Sequence, residues 1–397
     1  MQIIDELLPS ENTIYNKLEE YYDPKKVLMF DIETTGLSAS SSFIYIIGYN
    51  IKREDGWHII QLFNDDGESE PEMIRYFMEV LSCYSYLIEF NGDSFDVPFV
   101  KKRLELINRR QGLDIPDNFE NINQVDLYKL IRPFKKALGL ANLKQKTIER
   151  FLGLNRIDQM NGGQLIFVYF NYLTDRSSRD RSLLLQHNRD DMEGMFYLTD
   201  IFALKKLSEG ELSFSGMEMT NTNSLRLKLA ITPQHPMTIS FAALGNELSS
   251  SKSLKDSGSI NKRESTAPLL IVSGRANDAY ISIPVSSGIF KYYFSDYKNY
   301  LYYPELDAAY HKDLAATLKN YSSCTAKASN CYTKLEGFFI KKYGFKDGKS
   351  FYPEDTESPG KADAYIELSD EFLSDSELLN AYLRHLVSYI LTGTCHK

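Results

Sequence analysis

The most constraining stretch of the sequence is Val27-Leu-Met-Phe-Asp-Ile-Glu-Thr-Thr-Gly-Leu. From Val27 to Ile32 it is nearly continuously apolar, which suits a strand buried on both faces. Side chains alternate along a strand, so Asp31 and Glu33 project to one face while Phe30 and Ile32 project to the other. Two carboxylates at the end of such a strand are costly unless something cationic pairs with them. A hard divalent metal is one natural partner, because Mg²⁺ takes oxygen ligands. The plain alternative is a polar strand end turning into a loop.

The flanking pattern reads as α/β. Phe43 to Ile51 and Trp57 to Phe63 are strand-like, with a turn at Asp65-Asp66-Gly67. Pro71 to Leu81 has helical spacing. Tyr86 to Phe90 is a further strand, and Asn91-Gly92 is the turn after it. Phe99 to Ile107 is helical, Val125 closes a short fifth strand, and helices follow as far as Leu207. Three strands joined by short loops, then strands alternating with helices, predict a mixed five-stranded sheet with flanking helices. The second half predicts a C-terminal α+β domain. Its strands are expected near Leu225–Ile231, Met237–Leu244, Leu269–Ser273 and Tyr280–Pro284, and its helices at Glu305–Lys319 and Glu371–Leu391. The Ser/Lys/Gly stretch Ser249–Arg263 reads as mobile. The expected division is an N-terminal extension over 1–23, a first domain over 24–207, a linker over 208–219 and a second domain over 220–397.

Two further motifs carry acids. Asn91-Gly-Asp-Ser-Phe-Asp-Val-Pro-Phe99 stands where the fourth strand enters a helix. Asp96 is placed to start that helix, with Pro98 in its first turn. Asp93 competes with it, but Asp96 leads directly into the helix that packs on the sheet. In Leu183–Leu198, one helix face carries Leu184, Asp191, Met195 and Leu198, with His187 one turn before Asp191. An acid on a core-facing stripe needs a buried base or a metal. Four acids converging on one spot repel unless they hold two divalent ions, which clamp the attacking and leaving oxygens of a phosphodiester displacement. His187 is then a candidate general base.

In order and spacing, FDIETTGL at 30–37, FNGDSFDVPFV at 90–100 and HNRDDMEGMFYL at 187–198 resemble the DEDD exonuclease superfamily with the RNase H-like fold. Within it the chain is most similar to the YprB-type bacterial proteins, and the stretch from Phe151 to Asp158 with Gly162-Gly163 fits that group too. The resemblance covers roughly residues 24–206. It implies an RNase H-like mixed five-stranded sheet and 3′→5′ exonuclease chemistry with two Mg²⁺ or Mn²⁺ ions. Asp31, Glu33, Asp96 and Asp191 are then the metal-binding acids, and His187 is the base of the third motif. The spacing departs from the usual histidine subclass: position 192 is Met, and His187 precedes the acid by four residues, not five. His187 is therefore either a base or a residue that orients water. The expected substrate contacts are Thr34 and Leu37 in the first motif, Asn91 and Phe95 in the second, and Lys144.

Lys144 belongs to a basic run, Lys129, Arg132, Lys135, Lys136, Lys144, Lys146 and Arg150, opposed only by Glu149. Such a run next to the site suits phosphates. Overall the chain is acidic, with a formal net charge of -9 over 397 residues, which excludes loose coating of nucleic acid by bulk charge. No apolar run reaches the ~18–20 residues of a membrane span. The N-terminus lacks a basic signal region, and four scattered cysteines make no disulfide framework, so a reducing cytoplasm is expected. The tyrosine-rich segment Phe290–Pro304 reads first as domain packing, and less readily as a base-stacking surface. The function expected is a metal-dependent exonuclease on single-stranded DNA or RNA. Its rivals are a binding module that retains the fold without catalysis, and a structure-selective endonuclease.

Overall fold

The computed structural model describes residues 1–154, 156, 160, 162–221, 224–245, 267–274, 277–357 and 359–393. The expected mobile stretch Ser249–Arg263 lies outside them, as do residues 155, 157 and 158 of the Phe151–Asp158 match. The chain forms two compact units. The first is Met1–Lys135 with Leu140–Lys205, and the second is Lys136–Gly139 with Lys206–Lys397.

The first unit is built on a mixed sheet. Its strands are β1 (Gln2–Leu7), β2 (Val27–Thr34), β3 (Ile44–Lys52), β4 (Trp57–Phe63), β5 (Tyr86–Glu89) and β6 (Asn123–Asp126). They lie in the order β1-β4-β3-β2-β5-β6. β2 is antiparallel to β3 and parallel to β5, and β5 is parallel to β6. The sheet therefore has six strands where five were expected. The extra strand is β1, which runs antiparallel along the β4 edge. Of its three large apolar residues, Ile3 and Leu7 are about half exposed and Ile4 packs against the core on the Tyr45–Tyr169 side, so backbone pairing and this one inward residue hold it. Residues 1–23 are thus part of the first unit and not a detached extension.

Helices α1 (Glu70–Leu81), α2 (Asp96–Gln111), α3 (Leu127–Ile131), α4 (Gln145–Phe151), α5 (Gly162–Asp175), α6 (Ser178–Tyr197) and α7 (Asp200–Ser208) complete the unit. One face of the sheet packs on α1 and α2, where Phe30 stacks on Phe77 with ring centroids 4.8 Å apart. On the other face Tyr45 stacks on Tyr169 of α5 at 4.5 Å. Apolar residues on both sheet faces explain why β3 and β4 read as continuous apolar runs.

In the second unit the long strand Asp278–Tyr293 is the organiser. Its first half pairs with Leu225–Pro233 and Leu269–Ser273, and its second half with Tyr332–Lys341 and Phe351–Pro353. Two expectations fail here. Most of the expected linker is a strand, Leu212–Asn221, which pairs with Leu225–Pro233 over its whole length. The expected helix over 305–319 is instead a strand, Ala308–His311, followed by the short turn Lys312–Leu314. A tight turn with Asp307 at φ 44° returns the chain onto Tyr300–Tyr303, and backbone pairing overrides the helical spacing. The C-terminal helix is broken between Asp370–Ser374 and Ser376–Thr392, where Asp375 caps the second piece. Among the described residues no helix is long and apolar enough to cross a membrane.

Candidate active site

Strand alternation sends Phe30 and Ile32 into the core under α1 and α2. Asp31 and Glu33 face the other way, toward α6. The register shift between Glu33 and Thr34 ends the regular ladder just past the second acid. The next strand in parallel, β5, leads through the turn at Asn91 into α2. Asn91 sits at φ 63°, a left-handed conformation that Asn tolerates better than most residues. Asp96, the first residue of α2, accepts a hydrogen bond from the Ile32 amide at 3.3 Å, between the two acids of β2. Helix α6, capped at Ser177, crosses the same end of the sheet and supplies His187 and Asp191. Nε2 of His187 lies 3.4 Å from Asp191 Oδ2 and 3.6 Å from Glu33 Oε1. Glu33, His187 and Asp191 thus offer donor atoms within 4.8 Å of one another.

The electrostatics follow from this crowding. Burial lifts the Asp31 carboxyl well above its ordinary range, and the charges of Asp96, Asp191 and Glu33 add to it. Burial likewise pushes Glu33 up to about 7, with His187 opposing and Asp191 and Asp96 adding. Asp96 is pushed up to about 7 by burial, against the pull of the Ile32 amide, with Asp191 and Asp126 adding. Acids driven toward protonation by burial and mutual repulsion are stabilised as carboxylates by a hard divalent cation, and oxygen donors are what such cations take. The donor set therefore fits a divalent cation.

Side chains that the sequence motifs did not single out orient these acids. Fully buried Asn188 donates to Asp31 Oδ2 at 3.0 Å and accepts from Gln61 Nε2 at 3.0 Å. Gly48, which pairs with Asp31 across β2 and β3, makes room for it. A Cβ there would stand 2.3 Å from Asn188 Oδ1. An isolated Gly inside an apolar strand was the legible sign of such a close approach. The Tyr45 hydroxyl donates to Glu33 Oε2 at 3.4 Å. Arg156 donates to Asp191 through Nη1 and to buried Glu149 through Nε and Nη2. Gln145 donates at 2.9 Å to both Glu149 Oε1 and the Asp191 carbonyl. No periodicity marks Arg156, because it lies between helices.

The expected substrate contacts divide. Leu37 is 89% exposed just beyond the acids. Thr34 donates to the Gly36 carbonyl at 2.9 Å and shapes that loop. Phe95 packs on Phe99, and the Asn91 amide donates to Asp126. Lys144 is exposed at the start of α4, as are Arg132, Lys135, Lys136 and Arg150 of the basic run. Lys129 instead pairs with Asp93, and Lys146 donates to the Met160 carbonyl. Arg103 makes a buried pair with Glu70, and Arg189 pairs with Glu6 and Glu193, so these cations serve the fold.

An RNase_H superfamily model matches residues 28–203. The protein YprB of Bacillus subtilis (strain 168) is 27% identical over 190 residues, 47% of this chain and 44% of its own length. DNA polymerase 1 of Sulfurisphaera ohwakuensis is 25% identical over 174 residues, 35% of this chain and 19% of the polymerase. The chain thus spans less than half the length of the curated relatives it matches. Among solved structures, the family B DNA polymerase of Pyrobaculum calidifontis aligns with a TM-score of 0.37 and 14% identity. That alignment covers 75% of this chain and 41% of the polymerase. Residues 28–203 form an RNase H-like domain of the YprB type.

Proposed function

We propose that the protein is a metal-dependent 3′→5′ exonuclease that hydrolyses the phosphodiester bonds of single-stranded DNA or RNA. The superfamily match and the likeness to a DNA polymerase support a nuclease-type function. The observation that carries the finer reading is the crowding of Asp31, Glu33, Asp96 and Asp191 at one end of the sheet, with Glu33 and Asp96 pushed to about 7. Asp31, Glu33, Asp96 and Asp191 would hold two divalent cations, which when bound polarise the phosphate and lower the pKa of water. His187, between Glu33 and Asp191, takes the proton of the attacking water or holds that water in line. Asn188 and Tyr45 fix the rotamers of Asp31 and Glu33, so the acids are oriented before substrate arrives. Leu37 offers an apolar contact to a terminal base, and Lys144 with its exposed basic neighbours offers contacts to the phosphates.

One observation favours a second reading. Arg156 already donates to Asp191, and a chain that neutralises its acids with arginine can bind nucleic acid without cleaving it. Single strands of DNA and RNA, labelled at the 5′ or the 3′ end, separate the readings. The exonuclease gives a 5′-labelled ladder shortening one nucleotide at a time in Mn²⁺ or Mg²⁺, and no products in EDTA. Internal cuts indicate an endonuclease. Strand binding without cleavage in any metal indicates the binding module.

A further inference from the structure

A second group of acids lies in the first unit, at the far side of the turn that delivers Asp96. Glu89 ends β5, Asp126 ends β6, and Asp93 sits in the turn between β5 and α2. Parallel pairing sets Glu89 directly beside Asp126. One oxygen from each of the three lies within 4.8 Å of the others. Two oxygens that share a Ca²⁺-sized ion at ~2.3–2.6 Å lie at most about 5 Å apart, so this spacing suits a common cation.

Acids near one another are ordinary, but their hydrogen bonding here is not. Glu89 is 0% exposed, and neither of its carboxylate oxygens has a hydrogen-bond partner. Asp126, also buried, uses Oδ1 for the amides of Asn91 at 2.9 Å, Tyr128 at 2.9 Å and Lys129 at 3.4 Å. Its Oδ2 is buried without a partner. These three atoms are half of the six buried side-chain polar atoms that lack a partner among the described residues. Buried oxygens left unpaired are destabilising, more so if charged, so three on adjacent strand ends call for a ligand. Burial pushes the Glu89 carboxyl up to about 9, with the charges of Asp126, Asp93 and Asp96 adding, while the Gly92 amide pulls the other way without a well-formed hydrogen bond. Gly92 also fits tightly: a Cβ there would stand 2.7 Å from Glu89 Cγ, so the turn closes over the Glu89 carboxylate.

Asp93 is the open end of the group. It is partly exposed and pairs with the ammonium of Lys129, itself an exposed residue. We propose that Glu89, Asp93 and Asp126 bind one hard divalent cation, at a site separate from the Asp31–Glu33–Asp96–Asp191 cluster. Three carboxylates with no nitrogen or sulfur donor favour Ca²⁺, Mg²⁺ or Mn²⁺ over zinc. The ion displaces Lys129 from Asp93 and ties the ends of β5 and β6 to the turn that leads into α2. The site does not depend on the nuclease reading.

Mn²⁺ binding to the full chain, followed by the loss of free-ion electron paramagnetic resonance signal, tests it. The Asp31→Asn/Asp191→Asn variant removes the first cluster from the count. One Mn²⁺ per chain is expected to remain on this variant. Adding Glu89→Gln is expected to weaken that binding by more than about tenfold, with circular dichroism checking that the chain still folds. Lys129→Met, a surface change that leaves the core intact, is expected to strengthen it about two- to fivefold by removing the competing cation. If the Asp31→Asn/Asp191→Asn chain binds no Mn²⁺, or if neither Glu89→Gln nor Lys129→Met changes its affinity, Glu89 is simply a buried neutral acid and the proposal is overturned.

Discussion

Glu33 in the first unit and Asp307 in the second are both acids surrounded by aromatic and charged side chains, and they have opposite fates. At Asp307 burial works upward, but Lys334, Tyr302 and Tyr332 outweigh it and hold the carboxyl at about 2. The two tyrosine hydroxyls donate to one oxygen at 2.6 and 2.5 Å, and Lys334 lies 2.5 Å from the other. At Glu33 the main opposing influence is a shared histidine, and the carboxyl stands at about 7. The second unit treats its polar groups as parts of a structure and pairs them. The Tyr293 hydroxyl donates to Thr356 and that of Tyr382 to Lys341 in the same way. The first unit gathers like charges from β2, α2 and α6 and leaves them short of cations. An arrangement of that kind lowers stability where it stands, and metal-dependent chemistry is a physical reason for a fold to keep it.

Replacing acids on the two sides of this contrast separates them most sharply. Asp96→Asn is expected to lower Mn²⁺-dependent hydrolysis of a single strand by about 10²–10³-fold. Asp307→Asn is expected to leave the rate unchanged and only lower the melting temperature. Equal rates for the two variants in a gel assay would remove the distinction between the regions.

The pH dependence has opposite signs in the two places. Glu33 and Asp96 have folded pKa values raised to about 7, so between about pH 4 and 7 the folded state holds more protons than the unfolded chain. In EDTA the first unit is therefore expected to lose stability as pH rises from 4 to 7. Mn²⁺ is expected to flatten that slope. Asp307 is depressed, so its contribution is present above about pH 4 and is lost as pH falls toward 2. Calorimetric melting from pH 4 to 8, with and without Mn²⁺, checks the first sign, and a Tm in EDTA that climbs over pH 4 to 7 would break it.

Smaller effects test how the acids are held. Asn188→Ala leaves Asp31 without its side-chain donor, while Gln61 keeps the Leu185 carbonyl, and is expected to cost about 1–3 kcal/mol, with activity reduced about tenfold or more. Gly48→Ala is expected to lower activity by displacing the same amide. Both are read by urea unfolding and initial rates, and an unchanged rate in Asn188→Ala would show that Asp31 needs no such partner. Tyr302→Phe in the second unit is the mildest change, about 1 kcal/mol of stability with full activity.

Much of the site was legible because strand and helix periodicities are. Alternation put Asp31 and Glu33 on one face, and the helical stripe joined His187 to Asp191. The preference for Asp96 over Asp93 rested on the helix start, and the two acids do part there. Asp96 bonds to β2, while Asp93 turns to Lys129. Asn188 lies one turn after Leu184 and one turn before Met192, both buried, and is a polar residue at a core position. Arg156 and Glu149 were not legible, because the pairing of Arg156 with both Glu149 and Asp191 is set by how a loop and two helices pack, which local spacing does not encode. β1 escaped notice because an edge strand is held largely by backbone bonds, and two of its three large apolar residues, Ile3 and Leu7, face outward. The segment 305–319 was misread because strand pairing onto Tyr300–Tyr303 outweighs a weak helical pattern.

The most direct measurement is release of nucleotides from a single strand in Mn²⁺ by the wild-type chain, beside Asp31→Asn/Asp191→Asn from the same preparation. The expected result is stepwise, EDTA-sensitive release by the wild type and none above background by the variant. Equal release by both, or none by either in Mn²⁺ and in Mg²⁺, would contradict the claim that the acids at this end of the sheet form a metal-dependent nuclease site.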